Sequence, residues 1–242
     1  MFIPLHDYNP MRYIKQPWMT WLLIAINVVI FVVFQSELVL QIGDRAAFLF
    51  GMTPAEIGHG VRLPSAYGAL PEEFTLLTYM FLHGGWMHLI GNMLFLWVFG
   101  DNIEDAIGHW RFLGFYIACG FAGGVAHFFS MKTSTVPLVG ASGAIAGIIA
   151  AYLMLHPRVK IWVLAFGRIP LKLSAAWVLG IWIGFQAFNI LAKTDDDTSW
   201  WGHVGGLIAG AALILVLRRP GVELFDRGLE FAPRVDTPKV EP

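Results

Sequence analysis

The sequence predicts an all-α membrane protein, a bundle of six transmembrane helices with both termini in the cytoplasm. The first observation is composition: 57% of the 242 residues are hydrophobic, only 14% are charged, and the mean hydropathy is +0.63. These values are too apolar for an ordinary soluble domain. The second is a set of six apolar stretches whose lengths are close to the roughly 20 residues that a helix needs to cross a bilayer. The third is the segregation of lysine and arginine by loop.

The six predicted spans divide the chain into three parts. Residues 1–17 form a cytoplasmic N-terminal segment, residues 18–218 form the six-helix domain, and residues 219–242 form a poorly ordered cytoplasmic tail with four prolines. The second span is short, but its apolar run extends backwards through Phe81 and forwards past Gly100. The spans are residues 18–36, 86–99, 112–129, 139–155, 173–192 and 201–217.

Two connections between spans stand out. Residues 38–75 are rich in proline and contain the pair Glu72-Glu73, and we expect short helices near the membrane interface there. Residues 158–172 are basic and include an apolar run, 161–166, that is too short to cross a membrane.

Charge distribution fixes the predicted orientation. With the N-terminus in the cytoplasm, four of the 16 lysines and arginines fall on the opposite side, namely Arg45, Arg62, Lys132 and Lys193. The first apolar run is too long for a signal-peptide core and lacks a clear cleavage site, so we expect it to be retained as a helix. The net charge of -1 gives no indication of a nucleic-acid partner.

Polar residues recur at one depth of this bundle. Spans two, four and six all run inward from the outer face, and their first turns carry His88 and Asn92, then Ser142, then His203. Polar groups inside a membrane are costly and usually face the bundle interior or a water-filled cavity. The four residues are therefore candidates for one submerged polar site.

Ser142 lies in a run of small residues. Gly140 permits a tight turn before the serine, while Gly143 and Gly147 give the following helix a smooth face that another helix can approach closely. A serine hydroxyl is a weak nucleophile that needs an adjacent base. The alternative is a helix-packing seam in which Ser142 bonds its own backbone.

His203 is the candidate base. Gly202, Gly206 and Gly210 recur every four residues beside it, so two glycine faces could bring its imidazole within roughly 3 Å of the Ser142 hydroxyl. The alternative is a histidine that only anchors the helix end at the interface. The outer half of the spans offers no acidic residue to orient this ring, which predicts a dyad and not a triad.

His88 and Asn92 are one helical turn apart and share a face. Together with the backbone N–H of Ser142 they could donate hydrogen bonds to an oxyanion, whereas either alone could serve as a helix contact or an anchor. Metal chemistry has little support, because no H-E-x-x-H motif or carboxylate pair lies in a span. We therefore expect neither a metal nor another cofactor.

These motifs resemble those of the rhomboid family of intramembrane serine proteases, in its bacterial six-helix form. The matching pieces, in order along residues 18–218, are His83-x4-His88-x3-Asn92, Gly100-x3-Glu104-x3-Gly108, Gly140-Ala141-Ser142-Gly143 and Gly202-His203-x2-Gly206.

The resemblance implies a function and roles for these residues. It implies an endopeptidase of the bacterial inner membrane that cleaves transmembrane segments near the outer face, with membrane proteins and lipids as partners. Ser142 would be the nucleophile, His203 the general base, and His88 and Asn92 the oxyanion donors. The supporting positions would be His83, Glu104, Gly140, Gly143 and Gly206.

Some residues depart from this pattern or lie outside it. Ala146 stands where some relatives carry an aromatic ring that stacks on the catalytic histidine. We expect bulky residues of the fifth span, Trp177, Trp182 and Phe185, to gate lateral substrate entry between spans two and five. We interpret four further polar residues as contacts between helices or as cavity lining: Asn27, His127, Gln186 and Asn189.

Two rival functions use the same spans. A non-catalytic rhomboid-like protein would bind transmembrane segments without cleaving them, and the presence of both Ser142 and His203 argues against it. A six-helix transporter would need midplane charges and paired broken helices, which the spans do not show.

Overall fold

The computed structural model describes residues 2–40, 42–59, 71–192 and 198–226. Six long helices and a small sheet make up most of this part of the chain. In order, the elements are β1 (Phe2–Asp7), α1 (Trp18–Phe34), α2 (Gly43–Phe50), α3 (Pro54–His59), α4 (Glu72–Thr78), a 3-10 turn (Tyr79–Phe81), α5 (Trp86–Ile107), α6 (His109–Ser130), α7 (Ser142–Leu155), β2 (Lys160–Ala165), β3 (Ile169–Ser174), α8 (Ala175–Ala192) and α9 (Trp200–Leu217).

The helices support a membrane fold. Within the described residues, three helices are long and apolar enough to cross a membrane: α6, α8 and α9. Two more, α1 with 17 residues and α7 with 14, are apolar but shorter. The predicted helical membrane class is therefore confirmed, while the count of six spans and the cytoplasmic placement of the termini stay predictions.

Each predicted span lies on one long helix, although some ends differ. The second helix continues past the predicted end at residue 99 to Ile107. The fourth begins at Ser142 and not at residue 139, because Gly140 has a φ of 132°, which no helical residue adopts. The predicted hydrophobic stretches therefore locate the helices, and local backbone chemistry sets where they end.

A three-stranded antiparallel sheet corrects the expectation of an all-α chain. The N-terminal strand β1 pairs with β2, and β2 pairs with β3, so the strand order follows the sequence. The apolar run at 161–166, which is too short to cross a membrane, supplies most of β2, in which Ile161, Val163 and Ala165 alternate with more exposed residues. This period of two is typical of a strand with one buried face.

The helix that begins with Ser142 lies in the core. All residues of α7 except Ser142, Leu153 and Met154 are buried. It packs against α6 on one side and α9 on another. Small residues along α7 allow this close approach, since no bulky side chain separates the helix axes.

The long connection after α1 braces the segment that leads to Ser142. Met52 and Leu138 exchange backbone hydrogen bonds of 3.0 and 2.8 Å, and the Ala55 N–H donates to the Ser134 carbonyl at 3.0 Å. The expected short helices are present as α2, α3 and α4. Arg62 and Pro64 of the long connection lie outside the described residues, as do Lys193, the three aspartates 195–197 and the tail 227–242.

Candidate active site

Ser142 is the first residue of α7, and its position depends on Gly140. The Gly140 N–H donates to the Tyr79 carbonyl at 2.9 Å, and the φ of 132° belongs to a region that favours glycine. A side chain at Gly140 would also collide with His88, whose Cε1 and Nε2 would both lie 2.8 Å from its Cβ. The turn thus fixes the half-buried Ser142 beside the His88 ring.

The glycines of α7 and α9 meet face to face. A methyl group at Gly206 would overlap the carbonyl oxygen of Gly143, and one at Gly210 would overlap the backbone of Gly147. A Cβ at Gly143 would lie 3.5 Å from the Gly202 carbonyl oxygen. The neighbours of Ser142 and His203 in the chain are therefore in direct contact, with no helix between them.

His203 is buried and held by a polar side chain. Only 7% of the residue is exposed, and its Nδ1 lies 2.7 Å from Oε1 of Gln186 on α8. The Gln186 amide nitrogen donates to the Trp182 carbonyl at 3.1 Å, which identifies Oε1 as the acceptor facing the ring. Nδ1 therefore carries the proton, and Nε2 of the neutral imidazole holds the free lone pair.

In the described residues, the two side chains of the predicted dyad are not hydrogen-bonded to each other. No hydrogen bond joins the Ser142 hydroxyl to His203, whose bonded nitrogen faces Gln186. Hydrogen bonds between catalytic groups are often long without substrate and shorten in the complex. The structure brings the two helices together, and no described residue accepts a hydrogen bond from the Ser142 hydroxyl.

His88 and Asn92 project from the first turns of α5. The Gly84 N–H donates to His88 Nδ1 at 3.3 Å, so the neutral ring carries its proton on Nε2, the atom next to Gly140. Asn92 is 9% exposed, and its Nδ2 atom is buried without a hydrogen-bond acceptor. Both side chains therefore offer an N–H group that is not hydrogen-bonded to any described residue.

His83 lies beside this pair. Its ring packs edge to face against His88 with centroids 5.2 Å apart, and its two ring nitrogens are buried and form no well-aligned hydrogen bond with a described residue. Its backbone N–H and carbonyl are each hydrogen-bonded to the Gln35 side chain at 2.8 Å. Gln35 was not among the residues predicted from the sequence, although it fixes the turn that carries His83.

Glu104, predicted as a supporting residue, lies far from Ser142. It follows His88 by 16 positions on the same helix, or about 24 Å at 1.5 Å per residue. Its carboxylate accepts from the N–H groups of Met19 and Thr20 and from the Thr20 hydroxyl, and it also contacts His109. Glu104 therefore caps the start of α1 and takes no part in the polar site.

Sequence reasoning undervalued two polar residues near His203. Gln186 was interpreted as a contact between helices or as cavity lining, and the contact that it makes between α8 and α9 is to the His203 imidazole. His127 lies 2.6 Å from Ser199, whose hydroxyl accepts from the Gly202 N–H and caps α9. The sequence contains no signal that separates Gln186 from Asn189, the other buried amide of α8. Within the described chain, no group of three or more His, Cys, Asp and Glu side chains could hold a metal ion.

Similarity to known proteins identifies the family. The family profile described as Rhomboid domain matches residues 71–220. Rhomboid protease GluP of Bacillus subtilis is 33% identical over 216 residues, which cover 88% of this chain and 38% of that protein. RHOMBOID-like protein 6, mitochondrial, of Arabidopsis thaliana is 30% identical over 67% of this chain and 50% of its own length.

A third relative carries a protease name. Rhomboid-type serine protease 2 of Emericella nidulans is 27% identical over 73% of this chain and 34% of its own length. The chain thus spans half or less of the length of these three relatives. The match of the family profile covers more than half of the chain and includes every predicted site residue, and the chain belongs to the rhomboid family.

Proposed function

We propose that this chain is an intramembrane serine endopeptidase that cleaves transmembrane segments of other membrane proteins. The contact between the glycine faces of α7 and α9 carries the proposal, because it sets the backbone beside Ser142 against the backbone beside His203. Family membership and the protease names of two relatives support the same reaction class.

Ser142 is proposed as the nucleophile and His203 as the general base. His203 Nε2 removes the hydroxyl proton while Oγ attacks the scissile carbonyl, and the imidazolium then gives that proton to the departing amine. Water hydrolyses the resulting acyl ester by the same steps, which restores the hydroxyl. The proton on Nδ1, fixed by Gln186, leaves Nε2 able to accept.

Three donors are proposed to stabilise the tetrahedral oxyanion. They are the His88 Nε2–H, the Asn92 amide and the backbone N–H of Ser142, which has no acceptor within α7 because it belongs to the first turn. A buried amide nitrogen without a partner is costly in a folded protein. A role as donor to the oxyanion during the reaction accounts for the buried Asn92 amide nitrogen that no described residue pairs with.

The proposed membrane arrangement places this site below the outer surface. Residues 18–218 would form six spans, with the shorter α1 and α7 included, and both termini and the sheet would lie in the cytoplasm. The site end of α5, α7 and α9 would then face outward. Substrate helices must unwind locally to expose a carbonyl, so segments with helix-weakening residues near the outer face should be cleaved best. The proposed location is the bacterial inner membrane.

The alternative is a non-catalytic rhomboid-like protein that binds transmembrane segments. Among the described residues, the Ser142 and His203 side chains form no hydrogen bond with each other, and this observation favours the alternative.

Cleavage of a model single-pass substrate in proteoliposomes separates the two functions. Wild type should release a product, and both Ser142→Ala and His203→Ala should release none. Ser199→Ala is a matched control, because it removes a serine hydroxyl that lies 2.6 Å from a ring nitrogen of His127, and it should cleave. A serine-directed fluorophosphonate should label wild type and Ser199→Ala but not Ser142→Ala. Binding of the substrate without any product from folded wild type would overturn the protease assignment.

A further inference from the structure

We propose that Gln186 is the positioning residue that fixes the tautomer and the orientation of His203. This inference rests on the proposed function, in which His203 is the general base. Gln186 is 2% exposed and reaches across from α8 to His203 on α9, with Oε1 2.7 Å from Nδ1. It occupies the position that an acidic residue holds in a catalytic triad, on the ring nitrogen remote from the nucleophile.

The amide of Gln186 has one favourable orientation. Its Nε2 donates to the Trp182 carbonyl at 3.1 Å. A flipped amide would set its oxygen against that carbonyl oxygen and its NH₂ group against Nδ1, so both contacts would be lost. An amide oxygen only accepts hydrogen bonds, and the ring must therefore present an N–H at Nδ1. The helix backbone thus selects the tautomer in which Nε2 is the base.

The environment of His203 explains why an amide from α8 is needed. Ala146, one turn after Ser142, contributes only a methyl group, which would lie 3.2 Å from a Cβ at Gly206. The rings near His203 come instead from Trp182, with centroids 5.6 Å apart, and from Trp200 at 6.1 Å. These rings restrict tilting of the imidazole, but they do not distinguish its two nitrogens. Gln186 supplies that distinction.

The first test reads the tautomer without any reaction. In ¹⁵N-histidine-labelled protein, wild-type His203 should give chemical shifts of a ring protonated at Nδ1. Gln186→Met keeps the length of the side chain and removes the acceptor, and it should give a mixture of tautomers. Asn189→Leu is the control, because Asn189 is a buried amide on the same helix that donates one turn back, to the Phe185 carbonyl. A wild-type ring protonated at Nε2 would overturn the proposal even if Gln186→Met fails to fold.

The second test reads the consequence for cleavage. Gln186→Met should lower kcat by about 10²–10⁴-fold, the range of general-base catalysis, with KM nearly unchanged. Gln186→Glu restores an oxygen acceptor for Nδ1 but cannot donate to the Trp182 carbonyl, so it should recover part of that loss, which a purely packing role for Gln186 would not predict. Equal kcat in wild type and folded Gln186→Met would overturn the proposal. A wild type that shows the expected tautomer but cleaves nothing would refute the protease function and leave the positioning of His203 intact.

Discussion

The imidazole of His88 fills the space in which a side chain at Gly140 would lie. A Cβ at that glycine would be 2.8 Å from Nε2 of His88 and 3.8 Å from Oγ of Ser142. The two candidate functional groups, from α5 and α7, thus flank one bare stretch of backbone. The site therefore requires glycine at position 140 as well as the side chains of His88 and Ser142.

Gly140→Ala should abolish cleavage and destabilise the fold. Alanine at a φ of 132° is strained by roughly 1–3 kcal/mol, and its methyl group must also displace the His88 ring. The thermal midpoint in detergent and the initial rate of substrate cleavage measure the two effects.

Gly91→Ala is the matched control for that substitution. Gly91 precedes Asn92 on α5, and a Cβ there meets nothing within 4 Å. Alanine favours the helix over glycine by roughly 0.5–1 kcal/mol, so the variant should be at least as stable as wild type and equally active. Equal activity of Gly140→Ala and Gly91→Ala would contradict the account of the Ser142 turn.

Asn92→Leu should separate catalysis from stability. Leucine has a similar shape, and it removes a buried amide whose Nδ2 has no acceptor, so the free energy of unfolding should be unchanged or higher. Loss of one oxyanion donor should lower kcat by about 10²–10³-fold with little change in KM. Steady-state kinetics at saturating substrate decide the point, and an unchanged kcat would remove Asn92 from the oxyanion site.

Gly206→Ala should inactivate the protein by separating two helices. Its methyl group would overlap the Gly143 carbonyl oxygen, so α7 and α9 must move apart and carry Ser142 and His203 with them. Fluorophosphonate labelling of Ser142 should fall together with the thermal midpoint. Gly184→Ala on α8, where a Cβ meets nothing within 4 Å, should keep normal labelling. Normal labelling of Gly206→Ala would show that the contact is not needed.

Hydropathy and small-residue spacing were sufficient to predict the helices and the contact between α7 and α9. Both signals are local: a long apolar run predicts a helix, and glycines four residues apart predict the face that a partner approaches. The close contact of Gly143 with Gly206 agrees with that reasoning.

The sheet and the Gln186 contact could not be predicted in the same way. Phe2 pairs with Ala165, and a strand this short becomes recognisable only beside a partner that lies far away in the sequence. Gln186 is a polar residue on an apolar helix, and sequence alone does not indicate whether such a residue faces a neighbouring backbone or a catalytic ring. Tertiary geometry decides both cases.

The N-terminal strand is fixed to the bundle by a buried carboxylate. The Tyr152 hydroxyl of α7 donates to Asp7 Oδ2 at 2.5 Å, and the Asn102 amide of α5 donates to the same oxygen at 3.1 Å. Burial raises the pKa of Asp7 to about 6, against 3.8 for an unperturbed aspartate, although the hydrogen bond from Tyr152 opposes the shift. The folded protein therefore binds a proton at Asp7 more tightly than the unfolded chain does.

This raised pKa predicts a loss of stability with rising pH that Asp7→Asn should remove. Below about pH 4 Asp7 is protonated, and its raised pKa stabilises the fold. This contribution is lost as the pH rises through about 6, because Asp7 then ionises and its charge is buried near Asp101. The difference between the two pKa values corresponds to roughly 3 kcal/mol in the free energy of unfolding. Asparagine keeps an oxygen to accept from Tyr152 and does not titrate, so the stability of wild type relative to Asp7→Asn should fall between pH 4 and pH 7.5. Thermal midpoints in detergent at both pH values test this, and parallel pH profiles for the two proteins would contradict the assignment of the titration to Asp7.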